Sequence, residues 1–210
     1  MDLYLITNRK LVADGNFLSV IERAIAGGID AIILREKDLP GDILLKIATE
    51  IKEIIAGRSV LFIVNNNLEV AKAIQADGYH TIFDDFMHQS SRFDGWNGVS
   101  VHNLDEAITA AQNGASYLLV SHIFATDCKK GLKPKGVELI RNIKMNVNIP
   151  LIALGGINPG NSGQVWAAGA DGIAVMSFIM QSHDPYKSSE LLKKRLNVSN
   201  LDLISPWNNY

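Results

Sequence analysis

One cysteine, Cys128, stands in 210 residues, which excludes an internal disulfide framework and any metal site built from several cysteines. An excess of either charge is also missing. Lys plus Arg number 20 against 22 Asp plus Glu, a formal net charge of −2, so no broad basic field draws nucleic acid or anionic lipid and positive charge must act locally. No apolar stretch reaches the roughly 18 residues of a membrane span. The opening Met1-Asp2-Leu3-Tyr4-Leu5-Ile6-Thr7 lacks the basic region and long apolar run of a signal peptide and reads as a strand. These absences lead us to expect a cytoplasmic protein with neither nucleic acid nor membrane as partner.

The chain does hold material for one large core, with 47% hydrophobic and 20% charged residues, and one domain spanning 1–210 is expected. Eight short apolar runs recur along it, each followed by a stretch with helical periodicity: 3–7, 31–35, 60–65, 78–82, 98–101, 117–121, 150–155 and 172–176. That alternation marks stacked βα units, and most runs are apolar on both faces, as covered parallel strands must be. Amphipathic stretches lie between them, among them 17–26, 42–56, 68–76, 105–113, 136–145 and 161–168.

A junction repeats before four of the runs: Ala26-Gly27-Gly28-Ile29-Asp30, Gln75-Ala76-Asp77-Gly78-Tyr79, Gln112-Asn113-Gly114-Ala115-Ser116 and Ala167-Ala168-Gly169-Ala170-Asp171-Gly172. Glycine there suits a left-handed helix cap. Near-copies of one junction argue for a closed ring, whereas a doubly wound open sheet needs a break in strand order to form its site. The expected fold is α/β, a single (β/α)8 TIM barrel. The residues after Leu191, ending Trp207-Asn208-Asn209-Tyr210, read as a polar and aromatic tail that packs on the outside or frays, and its aromatics would suit a homodimer contact.

Residues just past each strand build the working face of such a barrel. After the seventh run, Gly155 and Gly156 would let backbone N–H groups approach an anion closely, and Val175, Met176 and Ser177 after the eighth would add a helix N-terminus. Together they suggest a phosphate site; as a bland alternative, the glycine pair is only a tight turn. Arg35 and Lys37 flank Glu36, and strand alternation aims both cations to one side, toward an anionic ligand, unless the run is merely solvated. Asn65 ends the third run. Lys129, in a glycine-flanked loop, reads equally as a cationic cover over phosphate and as a solubilising residue. His122 closes the apolar run 117–124 and is the candidate acid/base, while His80 and His102 read as packing or hydrogen-bonding residues.

The blocks Leu34-Arg35-Glu36-Lys37, Ala76-Asp77-Gly78, Ser100-Val101-His102, Gly155-Gly156-Ile157 and Ala170-Asp171-Gly172 resemble the thiamine phosphate synthase superfamily over nearly the whole chain. Within it, the segment from Ser121-His122-Ile123-Phe124 to Lys129-Lys130-Gly131-Leu132 looks like the thiazole tautomerase (TenI) branch. Synthases typically carry Asn-Asp-Arg, with a magnesium-binding Asp, where Asn65-Asn66-Asn67 stand here; a Gln that contacts the pyrimidine where Phe83 stands; and Pro where His122 stands. Asp85 matches the second metal position.

The resemblance therefore implies an isomerase that aromatises a carboxylated thiazole phosphate by proton transfer through His122, with no metal and no cofactor. In that reading the phosphate rests on Gly155, Gly156 and 175–177, and Arg35, Lys37 or Lys129 holds the carboxylate or covers the phosphate. The alternatives are a magnesium-dependent thiamine phosphate synthase and a non-catalytic regulatory barrel.

Overall fold

The computed structural model describes residues 1–13, 16–126 and 131–198. Eight parallel strands close a barrel in sequence order: β1 (Asp2–Ile6), β2 (Ala31–Leu34), β3 (Leu61–Asn65), β4 (Gly78–Ile82), β5 (Trp96–Val101), β6 (Tyr117–Ser121), β7 (Leu151–Leu154) and β8 (Gly172–Val175). β8 pairs back onto β1, with Leu3 opposite Ile173 and Leu5 opposite Val175. The ring of helices is α1 (Phe17–Ala26), α2 (Gly41–Ile55), α3 (Leu68–Ala73), α4 (Phe83–His88), α5 (Leu104–Gln112), α6 (Val137–Asn146), α7 (Ser162–Ala167), α8 (Ser177–Met180) and α9 (Pro185–Val198), with a 3-10 turn at Arg9–Leu11 after β1. Among the described residues no helix is long and apolar enough to cross a membrane.

The expected runs fall on these strands to within two residues, but α4, α8 and α9 were not marked as helices. α4 and α8 are too short to show a helical period. α9 is polar over most of its length and buries mainly Ser189, Leu192 and Leu196, so spacing alone gave a tail beginning at Leu191 where a helix already runs. The aromatic end of that tail and Lys129 lie outside the described residues.

Two cores follow from alternation along the strands. Residues such as Leu3, Leu5, Ile32 and Leu34 point outward into the layer shared with the helices. Their neighbours Tyr4, Ile6, Ala31, Ile33, Ile63, Tyr117, Leu119, Ile152 and Ala174 fill the barrel. Tyr117 lies across the barrel's lower end, fully buried, its ring centre 6.0 Å from that of Tyr4. Gly98 opposite makes this possible, since a Cβ there would sit 2.1 Å from Tyr117 Cζ.

The repeated junctions do more than cap helices. The residue before each even-numbered strand grips the strand preceding it. Leu3 N donates to Asp30 Oδ2 at 2.7 Å, Phe62 N to Asp77 Oδ2 at 2.7 Å, Asn97 N to Ser116 Oγ at 2.9 Å and Leu151 N to Asp171 Oδ2 at 2.8 Å. In return the backbone N–H groups of Asp30, Asp77, Ser116 and Asp171 donate to the carbonyls of Leu3, Phe62, Asn97 and Leu151. The carbonyls of Asp30, Asp77 and Asp171 then accept from Leu61, Trp96 and Asp2 on the strand beyond. One residue thus ties three strands, satisfying amides that the barrel's lower rim would otherwise leave without partners.

Replacing Asp77, whose carboxylate has this amide as its buried task, by Ala should lower the urea unfolding free energy by about 1–3 kcal/mol with an unchanged m-value. An Asp77→Ala protein as stable as the parent would show that the grip is dispensable.

Candidate active site

At the upper end of the barrel lies a cavity of about 310 Å³, within the size range of small-molecule sites. Arg35, Lys37, Asn65, His122, Gly155, Gly156, Val175, Met176 and Ser177 all line it. Every described candidate from the sequence is therefore gathered at one place. The walls also contain residues the spacing did not single out as ligand-facing: Ile6, Ile33 and Leu119 on the apolar side, and His80, Ser100 and Ser121 on the polar side. Their inward position follows from alternation, which was legible once register was known.

The cation pair is arranged as alternation requires. Arg35 and Lys37 face the cavity and Glu36 turns away, 5% exposed. Its two carboxylate oxygens accept from Arg9 N at 3.0 and 3.1 Å, and Oε2 also from Arg9 Nη1 at 3.1 Å. The same guanidinium forks onto Asp38, at 2.8 Å through Nη1 and 2.7 Å through Nη2, and Lys10 Nζ reaches Asp38 Oδ2 at 2.9 Å. These contacts hold the Asp38 carboxyl well below the usual range, the Arg9 hydrogen bond contributing most. Arg35 N donates to Thr7 Oγ1 at 2.9 Å, so Thr7, a polar strand-end residue, serves the backbone and is fully buried.

His80 sits at the cavity floor between Tyr117, whose hydroxyl is 2.9 Å from Nδ1, and Ser100, whose Oγ is 2.8 Å from Nε2. Burial, then the Arg35 charge, pushes its pKa down to about 3. The ring is therefore neutral at physiological pH, donating through one nitrogen and accepting through the other. Ser121 Oγ lies 3.4 Å from His102 Nδ1, a long contact.

His122 is 4% exposed, and its Nε2 is 3.3 Å from the Leu132 carbonyl. Its own carbonyl accepts from Lys135 N at 2.9 Å. The ring thus forms cavity wall and ties down the returning arm of the loop after β6. Gly155 and Gly156 have φ of 108° and 63°. A Cβ on Gly155 would stand 2.5 Å from His122 Cβ, and one on Gly156 2.3 Å from the Ala125 carbonyl. The first demand on this glycine pair is thus close packing of the β7 loop on the β6 loop, and a side chain at Gly156 strikes that loop before it strikes any ligand. Ser177 opens α8, a helix of only four residues, so what it offers an anion is its first amides and little axial dipole.

Two further positions bear on the metal. Asn66, at φ 55°, directs Nδ2 toward Asp85 Oδ2 at 3.5 Å and accepts from Asn65 Nδ2 at 2.9 Å. Phe83 begins α4 and packs on the outer core; it is not among the cavity residues. No group of three or more His, Cys, Asp or Glu side chains comes together among the described residues.

A family model described as thiamine monophosphate synthase matches residues 3–179. The chain belongs to that family. Thiamine-phosphate synthase of Chloroflexus aurantiacus is 38% identical over 201 residues, 94% of this chain and 93% of that protein. That of Methanospirillum hungatei is 40% identical over 187 residues, 87% of this chain and 91% of its own. The solved thiamine phosphate pyrophosphorylase of Pyrococcus furiosus superposes with a TM-score of 0.82 at 31% identity, covering 94% of this chain and 96% of that one.

These findings overturn the tautomerase and isomerase expectations: the relatives carry the name of a synthase, a transferase activity. The thiazole tautomerase branch has no support among them. The departures that suggested it weigh less in three dimensions. Phe83 does not face the cavity, so its substitution for Gln removes no wall contact there. Asn66 keeps the Asp85 carboxylate as its neighbour, and His122 has a structural occupation.

The His80 shift fixes a pH dependence. Its folded pKa lies near 3 against an ordinary 6.5, so the unfolded chain binds the proton between those values and stability is lost as pH falls through that window. Thermal unfolding of the parent should weaken from pH 6.5 downward more steeply than that of a His80→Gln variant. Parallel pH profiles would refute a neutral buried ring.

Proposed function

We propose that this chain is a thiamine phosphate synthase, joining a pyrimidine pyrophosphate to a thiazole phosphate. The observation that carries the reading is a cavity with a cation pair on one rim and a glycine turn on another, in a chain 38–40% identical to synthases. Two phosphorylated halves need two such anchorages around an apolar middle.

In this reaction the bond from the pyrimidine's methylene carbon to pyrophosphate oxygen breaks and a bond from that carbon to the thiazole ring nitrogen forms. That nitrogen carries no hydrogen, so its attack requires no proton carrier, and no acid/base duty falls on His122. Arg35 and Lys37 hold the departing pyrophosphate and stabilise the charge it gains. The amides of Gly155, Gly156 and 175–177 receive the thiazole phosphate. Ile6, Ile33 and Leu119 keep water from the electrophilic carbon, while Ser100 and the neutral His80 offer polar contacts to the rings.

Magnesium suits the donors present. It binds through one or two carboxylates, substrate phosphates and water, and Asp85 supplies such a carboxylate, with the Asn66 side chain beside it. When bound it would neutralise the pyrophosphate's charge. The expectation of a metal-free reaction falls with the tautomerase reading. Such an enzyme works in the cytoplasm, where its one cysteine suits reducing conditions.

The test is product formation by the purified protein from the two halves, with magnesium or with EDTA. Thiamine phosphate and pyrophosphate should appear only with magnesium, and Arg35→Met should raise KM for the pyrimidine pyrophosphate roughly ten- to a hundredfold. A stable, folded protein that makes no thiamine phosphate under either condition would end the proposal.

A further inference from the structure

Arg35 and Lys37 present two positive charges to the cavity, yet the chain places a carboxylate beside each, Glu36 between them and Asp38 immediately after. Unrestrained carboxylates so close would pair with the cations and compete with any anionic ligand for them. Neither does so. Glu36 is buried and directed away, gripped by the backbone and guanidinium of Arg9, and Asp38 is held in a two-pronged bond by the same guanidinium.

We infer that Arg9 is a positioning residue for anion binding: by occupying Glu36 and Asp38 it keeps Arg35 and Lys37 free for the ligand's pyrophosphate. Arg9 touches the cavity's chemistry only through these two acids, since it is not among the residues that line it.

Geometry distinguishes this role from plain stabilisation. Arg9 and Asp38 are both partly open to solvent, 29% and 44% by side chain, a setting in which ion pairs contribute little to stability, whereas Glu36 is buried, so that the Glu36 bond carries what Arg9 gives to stability. A planar fork onto one carboxylate with a third bond to another is an arrangement only arginine can make. Lys10 also reaches Asp38, but as a 64% exposed single contact. With Arg9 gone, Glu36 keeps its bonds from the backbone N–H of position 9. Asp38 loses its fork and becomes the acid able to swing onto Lys37.

The inference rests on the anion-binding reading of the cavity, so its test is binding, independent of turnover. Inorganic pyrophosphate is titrated calorimetrically into the full chain at low salt, for the parent, Arg9→Met, Asp38→Asn and Arg9→Met/Asp38→Asn, with the melting temperature of each. Arg9→Met should weaken pyrophosphate binding about tenfold and lower the melting temperature through the buried Glu36, and adding Asp38→Asn should restore most of the binding without restoring the melting temperature, because the competing acid is then gone. In the assay the same loss should fall on KM for the pyrimidine pyrophosphate and leave kcat nearly unchanged.

Binding by Arg9→Met equal to the parent, or a loss that follows melting temperature and is not restored by Asp38→Asn, would overturn the inference while leaving the synthase reading intact. A parent that binds no pyrophosphate would overturn both, since no anion site would exist for Arg9 to serve.

Discussion

The barrel depends on a hydrogen bond made four times: a short polar side chain at the foot of an even-numbered strand taking the first free amide of the strand before it. A closed sheet has no edge to hide, but the strand ends at its foot still expose donors and acceptors. Asp30, Asp77 and Asp171 answer that need three ways at once, through carboxylate, N–H and carbonyl. Where the acid has a nearby lysine, as Asp30 has Lys193 and Asp171 has Lys144, the outer helices α9 and α6 are drawn onto the same point. Register at the foot then sets which residues point inward at the mouth, because a slip of one position would exchange the two faces of every strand.

The fold was legible because its signals are local. Alternating apolar runs and amphipathic stretches report strand and helix directly, and the junction repeat reported the ring. The meaning of that repeat was only half legible: the glycines stood out as caps, while the grip by Asp30, Asp77, Ser116 and Asp171 appears only when two strands lie side by side. The mouth was legible as a set of strand ends, and its described candidates do converge. Arg9 went unnoticed because its acids lie 27 and 29 positions away, although an acid lodged between two pocket cations was a sign that a third partner existed.

The reaction was harder to read than the site. A phosphate-binding mouth constrains the ligand's charge, and different chemistries can share it. His122 drew attention because histidine is so often a proton carrier, yet a buried ring tied to the Leu132 carbonyl shapes a loop whatever happens in the cavity. Residue types at three matching positions suggested one branch; similarity over nine-tenths of the chain pointed to another. Where each side chain faces decides how much such a position can say, and Phe83, turned into the outer core, says little about the cavity.

Tyr117 lying over Gly98 makes the barrel a vessel stoppered at its base. The ring closes the space beneath His80, so whatever occupies the cavity comes and goes on the side of the strand ends, and the depth of the vessel is set by one tyrosine and one glycine.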